Sequence, residues 1–358
     1  MTLLVIGGGA IGTLLAARLA PTHGSVVLAA RPRTAAAARA QGGLRLVAHD
    51  GQEHLLPVPV FASIAAAFAE QKQYDLVIFA VKSYHTATAG QELLNAGGDG
   101  LPLLCIQNGV GNEEALADLL PHSAILAGVL TTPVAVLGPA HVKISRPSFK
   151  FGLADATPGN NPNILLKTAS WLAAASFAVS TYHDYRSLKW SKLLMNMLAN
   201  AQSAILGYTP AQIFDHAALG NLELRAWREA LAVMRALGIK PVALGGYPLP
   251  LAAQAVTHLP LGLMRPIFAK FIVGGRGDKM PSLYYDLHPQ PRAHSEIAWL
   301  NGAVARAGAA AGLPTPVNST LASVMQQLIS GEENVADWEG APEKLLTVVD
   351  TPATIKHN

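Results

Sequence analysis

Lys192, Asn196 and Asn200 recur at i, i+4 and i+8 in a run otherwise made mostly of Leu, Met and Ala. In a helix, that spacing puts an ammonium and two amides on one stripe. Burying such amides unsatisfied costs about 1–3 kcal/mol each, so they need partners, which a ligand or neighbouring backbone could supply. A carboxylate, Glu296, opens a second helical run from Ser295 to Ala311. The helix dipole favours an acid there, and both capping the first turn and touching a ligand are open to it. Ser282 is the hydroxyl donor in the preceding stretch, Lys279 to Asp286. At the other end of the chain, Leu3-Leu4-Val5-Ile6 runs into Gly7-x-Gly9-x-x-Gly12 and then an Ala/Leu-rich segment. A strand, a glycine turn and a helix in that order make a dinucleotide-binding turn. The first glycine permits the bend, the second lets a pyrophosphate approach the backbone, and the third packs helix on strand. The N–H groups that open the helix, Ala10 and Ile11, would face the phosphate charge.

The next strand, Ser25 to Ala30, indicates which dinucleotide. A site for NAD places Asp or Glu at the end of this strand to bond the ribose 2′-OH. This chain has Ala30 followed by Arg31, Pro32 and Arg33. A guanidinium grips a 2′-phosphate with paired hydrogen bonds, where a carboxylate would repel it. Arg31 therefore points to NADP(H), the alternative being a solvated Arg pair in a loop.

These residues need a scaffold. Tyr74 to Ala80 and Leu101 to Ile106 are near-continuous apolar runs, the pattern of strands covered on both faces of a parallel sheet. Helical runs alternate with them up to Leu120, which predicts a doubly wound sheet. In such sheets ligands sit beyond the carboxyl ends of the strands. Gly7 to Gly12, Arg31, Lys82 and Asn108 all fall just after predicted strands. Leu44 to Val60 reads as a strand pair turning at Asp50-Gly51, and short strands between Ile125 and Gly152 read as continuing the sheet. Thr157 to Asn163 reads as a loop. After it come one more helix, from Leu165, and a last strand, from Phe177. The second half is helical, with Arg186 to Leu206 reading as one long helix stopped by Gly207. The expected architecture is an α/β Rossmann-type doubly wound domain over residues 1–181, a mostly α-helical domain over 182–330, and an appended tail over 331–358.

Composition narrows the class. The chain has 358 residues, 51% hydrophobic and only 14% charged, enough for two domains with sizeable cores. A net charge of +3 with no basic block gives no electrostatic footprint for nucleic acid. Prolines interrupt the two long uncharged stretches, Ser123 to Val142 and Pro241 to Met264, so neither reads as a membrane span. No basic run precedes the first apolar strand, so a signal peptide is not expected. The single cysteine, Cys105, lies in an apolar run and forms no internal disulfide, which fits a reducing cytoplasm. No His/Cys/Asp/Glu set has metal-ligand spacing, so no metal is expected.

From about residue 1 to residue 330 the chain resembles the ketopantoate reductases (2-dehydropantoate 2-reductases). The resemblance rests on an ordered set of motifs: the Gly7 to Gly12 turn, Val81-Lys82-Ser83-Tyr84, Gln107-Asn108-Gly109-Val110-Gly111, Lys192 through Asn200, Met280-Pro281-Ser282-Leu283 with Asp286, and Ser295-Glu296-Ile297 with Asn301-Gly302. It implies NADPH-dependent reduction of 2-dehydropantoate to (R)-pantoate, on the route to pantothenate and coenzyme A. It implies Lys192 as the general acid and Glu296 as the group holding the substrate hydroxyl. It also implies that Asn196, Asn200 and Ser282 orient substrate, and that Lys82 and Asn108 line the cofactor side, Asn108 reaching substrate as well. Arg31 falls on the position that meets the 2′-phosphate. The implied partner is a small 2-oxo acid, with a homodimer as a possible assembly and the cytoplasm as the place. The chain departs from the family pattern at His85, where Gln is frequent, at Lys279, where Asn is frequent, and in a segment about two residues longer around His288-Pro289-Gln290-Pro291. These changes fall near the substrate side and leave a reductase of another 2-oxo acid as a second reading. A third reading, an NADP-binding sensor without turnover, has no use for a proton donor such as Lys192.

Overall fold

The computed structural model describes residues 1–159, 161, 163–276 and 279–351, with backbone alone over 271–276. Asn160 and Pro162 of the predicted loop, and residues 352–358 of the predicted tail, lie outside the described residues. The chain divides into two compact units. One is Met1–Lys189 with Leu244–Gly246, and the other is Trp190–Ala243 with the chain from Tyr247.

The first unit holds twelve strands among its described residues: β1 (Thr2–Ile6), β2 (Ser25–Ala29), β3 (Leu44–Val47), β4 (Glu53–Leu56), β5 (Val60–Phe61), β6 (Leu76–Phe79), β7 (Leu103–Cys105), β8 (Ile125–Leu130), β9 (Val134–Gly138), β10 (His141–Ile144), β11 (Lys150–Asp155) and β12 (Ala178–Tyr182). Between them run α1 (Ala10–Leu19), α2 (Pro32–Gln41), α3 (Ile64–Glu70), α4 (Thr86–Asn95), α5 (Asn112–Leu119) and α6 (Ile164–Ala174). Eight strands form one sheet in the order β12-β11-β8-β7-β6-β1-β2-β5. β1 pairs in parallel with β2 on one side and β6 on the other, with Leu3 opposite both Val26 and Leu76. The strand order therefore reverses beside β1, which is the doubly wound arrangement and its switch point. Every residue of β6, β7 and β8 is buried, and separate apolar clusters cover the two faces of the sheet. That double cover is why these strands read as unbroken apolar runs.

Two local expectations change. The strands after Ile125 do not all extend the main sheet: β9 and β10 join β3 and β4 in a separate four-stranded sheet, order β4-β3-β10-β9. Leu55, Val136 and Leu137 stay exposed on it, so its alternation is loose and its partners cannot be read from apolar pattern alone. The division between units falls inside a helix, between Lys189 and Trp190, later in the chain than the expected boundary at residue 181.

That helix is α7 (Tyr185–Met197). The second unit continues with α8 (Asn200–Leu206), α9 (Pro210–Asp215), α10 (Ala217–Ala236), α11 (Leu249–His258), α12 (Leu261–Arg276), α13 (Tyr284–Leu287), α14 (Asn301–Ala310), α15 (Pro316–Ser330) and α16 (Pro342–Asp350). The expected single helix over 186–206 is two helices. Ala199 adopts φ 55°, a left-handed conformation unusual for a residue with a Cβ. The Asn200 side chain donates to the Asn196 carbonyl at 2.9 Å, taking an acceptor that a continuous helix would give to backbone. The chain beyond Gly331 is not merely appended. Trp338, Leu345 and Val349 are buried, and the Gly340 N–H donates to the Leu206 carbonyl at 3.0 Å.

Candidate active site

In the first unit the predicted residues gather at one edge of the sheet. The Gly7 to Gly12 turn, Arg31, Lys82 and Asn108 follow β1, β2, β6 and β7, four strands adjacent in the order β7-β6-β1-β2. The glycines differ in what limits them. A Cβ on Gly7 would lie 2.7 Å from backbone atoms of Ala80 and Val81, and one on Gly12 would lie 1.8 Å from the Gly7 carbonyl oxygen. Both positions are closed by packing. A Cβ on Gly9 would meet nothing within 4 Å. Gly9 is also the N-cap of α1, with no side-chain cap, and α1 has no acid in its first turn. Open space above Gly9 and uncapped N–H groups on Ala10 and Ile11 fit a pyrophosphate.

Arg31 is exposed and is the N-cap of α2, with Pro32 following it at the first helical position. Its Nη2 donates to Nε2 of His85 at 2.7 Å. A guanidinium only donates, so Nε2 of the ring accepts. His85 closes the short 3-10 turn Ser83–His85, which Lys82 precedes as its half-buried N-cap. Arg31 and His85 thus put the ends of β2 and β6 in contact, a pairing that spans 54 residues of sequence.

Asn108 opens the loop between β7 and α5, where Gly109 and Gly111 both take positive φ. Buried side chains hold this loop from beneath. The Asn108 carbonyl accepts from Ser83 Oγ at 2.7 Å and Asn112 Nδ2 at 3.1 Å. The Gln107 carbonyl accepts from Lys189 Nζ at 2.6 Å, and the Gln107 side chain donates to Thr86 Oγ1. Thr86 in turn donates to Asn112 Oδ1 at 2.7 Å. Cys105 Sγ donates to Gln107 Oε1 at 2.8 Å, and burial pushes the thiol well above its ordinary pKa. A thiol held protonated and hydrogen-bonded serves as packing, not as a nucleophile. Sequence reasoning missed this network. The signals that could have found it are a charged Lys189 on an apolar helical run and the polar Asn112-Glu113 pair at a helix start.

In the second unit Lys192 and Asn196 stand half-buried on successive turns of α7. Asn200, at the start of α8, is buried and its amide is fully engaged. Its Nδ2 donates to the Asn196 carbonyl and to Ser282 Oγ at 3.2 Å, and its Oδ1 accepts from the Leu283 N–H at 2.9 Å. Asn196, Asn200 and Ser282 are therefore brought together, with backbone supplying much of what the amide needs. Glu296 is buried at the head of a 3-10 turn, Glu296–Trp299. Ser295 caps that turn by accepting from the Ile297 N–H at 3.2 Å, and donates to Asp286 Oδ2 at 3.0 Å. The cap of this turn is therefore Ser295. The longer segment touches the Ser282 turn: His288 stacks on Tyr284 with ring centroids 4.1 Å apart, and its Nε2 bonds the Ala204 carbonyl at 2.9 Å.

Among the described residues no cluster of His, Cys, Asp and Glu could hold a metal ion, and no helix is long and apolar enough to cross a membrane.

Residues 3–155 match the family model described as ketopantoate reductase PanE/ApbA, and residues 184–329 match its C-terminal counterpart. A 2-dehydropantoate 2-reductase of Mesorhizobium japonicum is 28% identical over 353 residues, covering 92% of this chain and 98% of its own. That of Archaeoglobus fulgidus is 24% identical over 328 residues, covering 91% and 97%. A PanE/ApbA family ketopantoate reductase from Ralstonia eutropha superposes with TM-score 0.77 at 27% identity, covering 93% of this chain and 99% of the other. A D-mandelate dehydrogenase solved with NADH and anilino(oxo)acetate shares the fold, with TM-score 0.77 at 20% identity, covering 92% and 99%.

Proposed function

The chain belongs to the ketopantoate reductase family of pyridine-nucleotide oxidoreductases, and from that premise we propose that it reduces 2-dehydropantoate to (R)-pantoate with NADPH. The observation that carries the cofactor half of this reading is the space above Gly9 beside the uncapped start of α1. Gly7, Gly9 and Gly12 shape the turn, and the Ala10 and Ile11 N–H groups hold the pyrophosphate. Arg31 grips the 2′-phosphate, and Lys82 and Asn108 line the nicotinamide side. A reduced nicotinamide bound there supplies the hydride.

The chain's own residues do the rest. As the ketone carbon is reduced, negative charge grows on its oxygen. The Lys192 ammonium stabilises that charge and then donates its proton to the oxygen, an effect of about 10²–10⁴-fold. Glu296 accepts a hydrogen bond from the substrate hydroxyl. Asn108 and Asn196 offer amides to the substrate. Asn200 contributes through Ser282: the Ser282 oxygen accepts from Asn200, and its O–H donates to a substrate carboxylate.

Another branched 2-oxo acid is the second reading, favoured by the longer His288–Pro291 segment packed on the turn that carries Ser282. One assay separates the readings. Purified protein is mixed with NADPH and a panel of 2-oxo acids, and absorbance at the nicotinamide band is followed. Fastest oxidation with 2-dehydropantoate supports the proposal. A clear preference for another 2-oxo acid moves the assignment to that substrate, and no oxidation with any ketone overturns both.

A further inference from the structure

Lys189 and Glu113 are each 2% exposed and lie 2.9 Å apart, Nζ to Oε1. The contact is an ion pair more than a directed hydrogen bond, since that carboxylate oxygen finds no well-aligned donor. A buried pair of this kind is a poor device for stability, because taking two charges out of water offsets much of their attraction. Its placement suggests a different use. Lys189 lies one turn before Lys192 on α7, and Glu113 lies in the first turn of α5, directly after the Asn108 loop. The same Lys189 Nζ donates to the Gln107 carbonyl at 2.6 Å, the residue before Asn108. A second tie runs parallel to the first: Tyr185, one turn earlier on α7, donates its hydroxyl to Glu114 Oε1 at 3.0 Å.

We infer that Lys189 and Glu113 are positioning residues for the reaction: the pair fixes the Gln107–Gly111 loop that presents Asn108. Tyr185 and Lys189 are spaced four apart, which in a helix is one face, and both reach the start of α5. The loop needs such support, because Gly109 and Gly111 allow it many conformations and its own backbone is not paired in a sheet. Lys189 and Ser83 with Asn112 hold the two successive carbonyls of Gln107 and Asn108. Lys189 thus acts twice, through its charge on Glu113 and through its N–H on Gln107, and only the second function survives as a loop tether if the charges are considered apart.

This inference rests on the proposed function for its kinetic readout, but hydrogen exchange tests it without activity. Amide exchange over residues 107–112, the melting temperature and kcat/KM are measured for the wild type, Lys189→Met with Glu113→Leu, and Glu113→Gln. The double variant removes both charges with apolar groups of similar size. It is expected to melt near the wild-type temperature, yet to exchange at least tenfold faster over 107–112 and to lose at least tenfold in kcat/KM. Glu113→Gln removes the charge that holds Lys189 and is expected to exchange at least threefold faster than the wild type over 107–112. If the double variant folds with wild-type exchange and kcat/KM, the inference is overturned and the pair is packing alone. If the double variant does not fold, wild-type loop exchange in Glu113→Gln overturns it, and a rise of threefold or more there supports it. An inactive wild type would overturn the proposed function while leaving the exchange comparison decisive for the tether.

Discussion

Arg31 is bonded to a histidine that its own stretch of sequence does not reveal. The guanidinium spends one of its five donors on His85. Hydrogen bonds to charged groups are worth about 1.5–3 kcal/mol, which is about 10- to 150-fold in affinity. Arg31→Ala is therefore expected to weaken NADPH by that factor while leaving NADH within about twofold. Titration of the two cofactors against intrinsic fluorescence checks it, and equal losses for both would count against the 2′-phosphate role. Arg31 itself was legible because it follows a predicted strand where an NAD site would place an acid. His85 as its partner was not, since local spacing cannot report a contact made between the ends of two strands.

Among the elements, the join of α7 to α8 is the least guessable and the easiest to test. Nothing in Met197-Leu198-Ala199-Asn200 announces a break: the left-handed residue is an alanine, not the glycine that marks the end of α8 at Gly207. The break is made by the Asn200 amide, bonded to Asn196, Ser282 and Leu283. The i, i+4, i+8 stripe was legible as a set of groups needing partners, and for Asn200 those partners turned out to be protein. Asn200→Ala should cost about 1–3 kcal/mol, because the Leu283 N–H loses its acceptor in a buried place. Urea unfolding would show this as a lower midpoint at unchanged slope. The glycine turn is the opposite case, where the close packing at Gly7 and Gly12 was readable from type and order. Gly12→Ala would place a methyl carbon within bonding range of the Gly7 carbonyl oxygen and is expected to abolish cofactor binding and lower the melting temperature. A Gly12→Ala protein that binds NADPH as the wild type does would contradict that packing.

At the scale of the whole molecule, the α/β-then-helical plan was readable from alternation and from the change in character near residue 185. The placement of the division within α7 was not, because a helix running from one unit into the other has no compositional mark. Nor was the return of Leu244–Gly246 to the first unit, where Lys150 Nζ bonds the Gly245 carbonyl at 3.0 Å. Lys189, the last residue before the division, gives the molecule a pH signature. Burial alone would lower its pKa, but the Glu113 carboxylate and the neighbouring groups together outweigh burial and hold the ammonium above its ordinary value. A base whose folded pKa is raised adds stability that is complete below the unfolded value, about 10.4, and is lost as pH rises through the folded one. Melting temperature should therefore fall more steeply above about pH 10.4 in the wild type than in the Lys189→Met, Glu113→Leu double variant. Parallel alkaline curves would contradict the sign of that shift.

The proposed function depends above all on Lys192 donating the proton in a nicotinamide-dependent reduction. Comparing kcat and the NADPH dissociation constant of Lys192→Ala with those of the wild type tests it most directly. A kcat lower by about 10²–10⁴-fold is expected, with cofactor affinity nearly unchanged. A Lys192→Ala enzyme that turns over at the wild-type rate would contradict it.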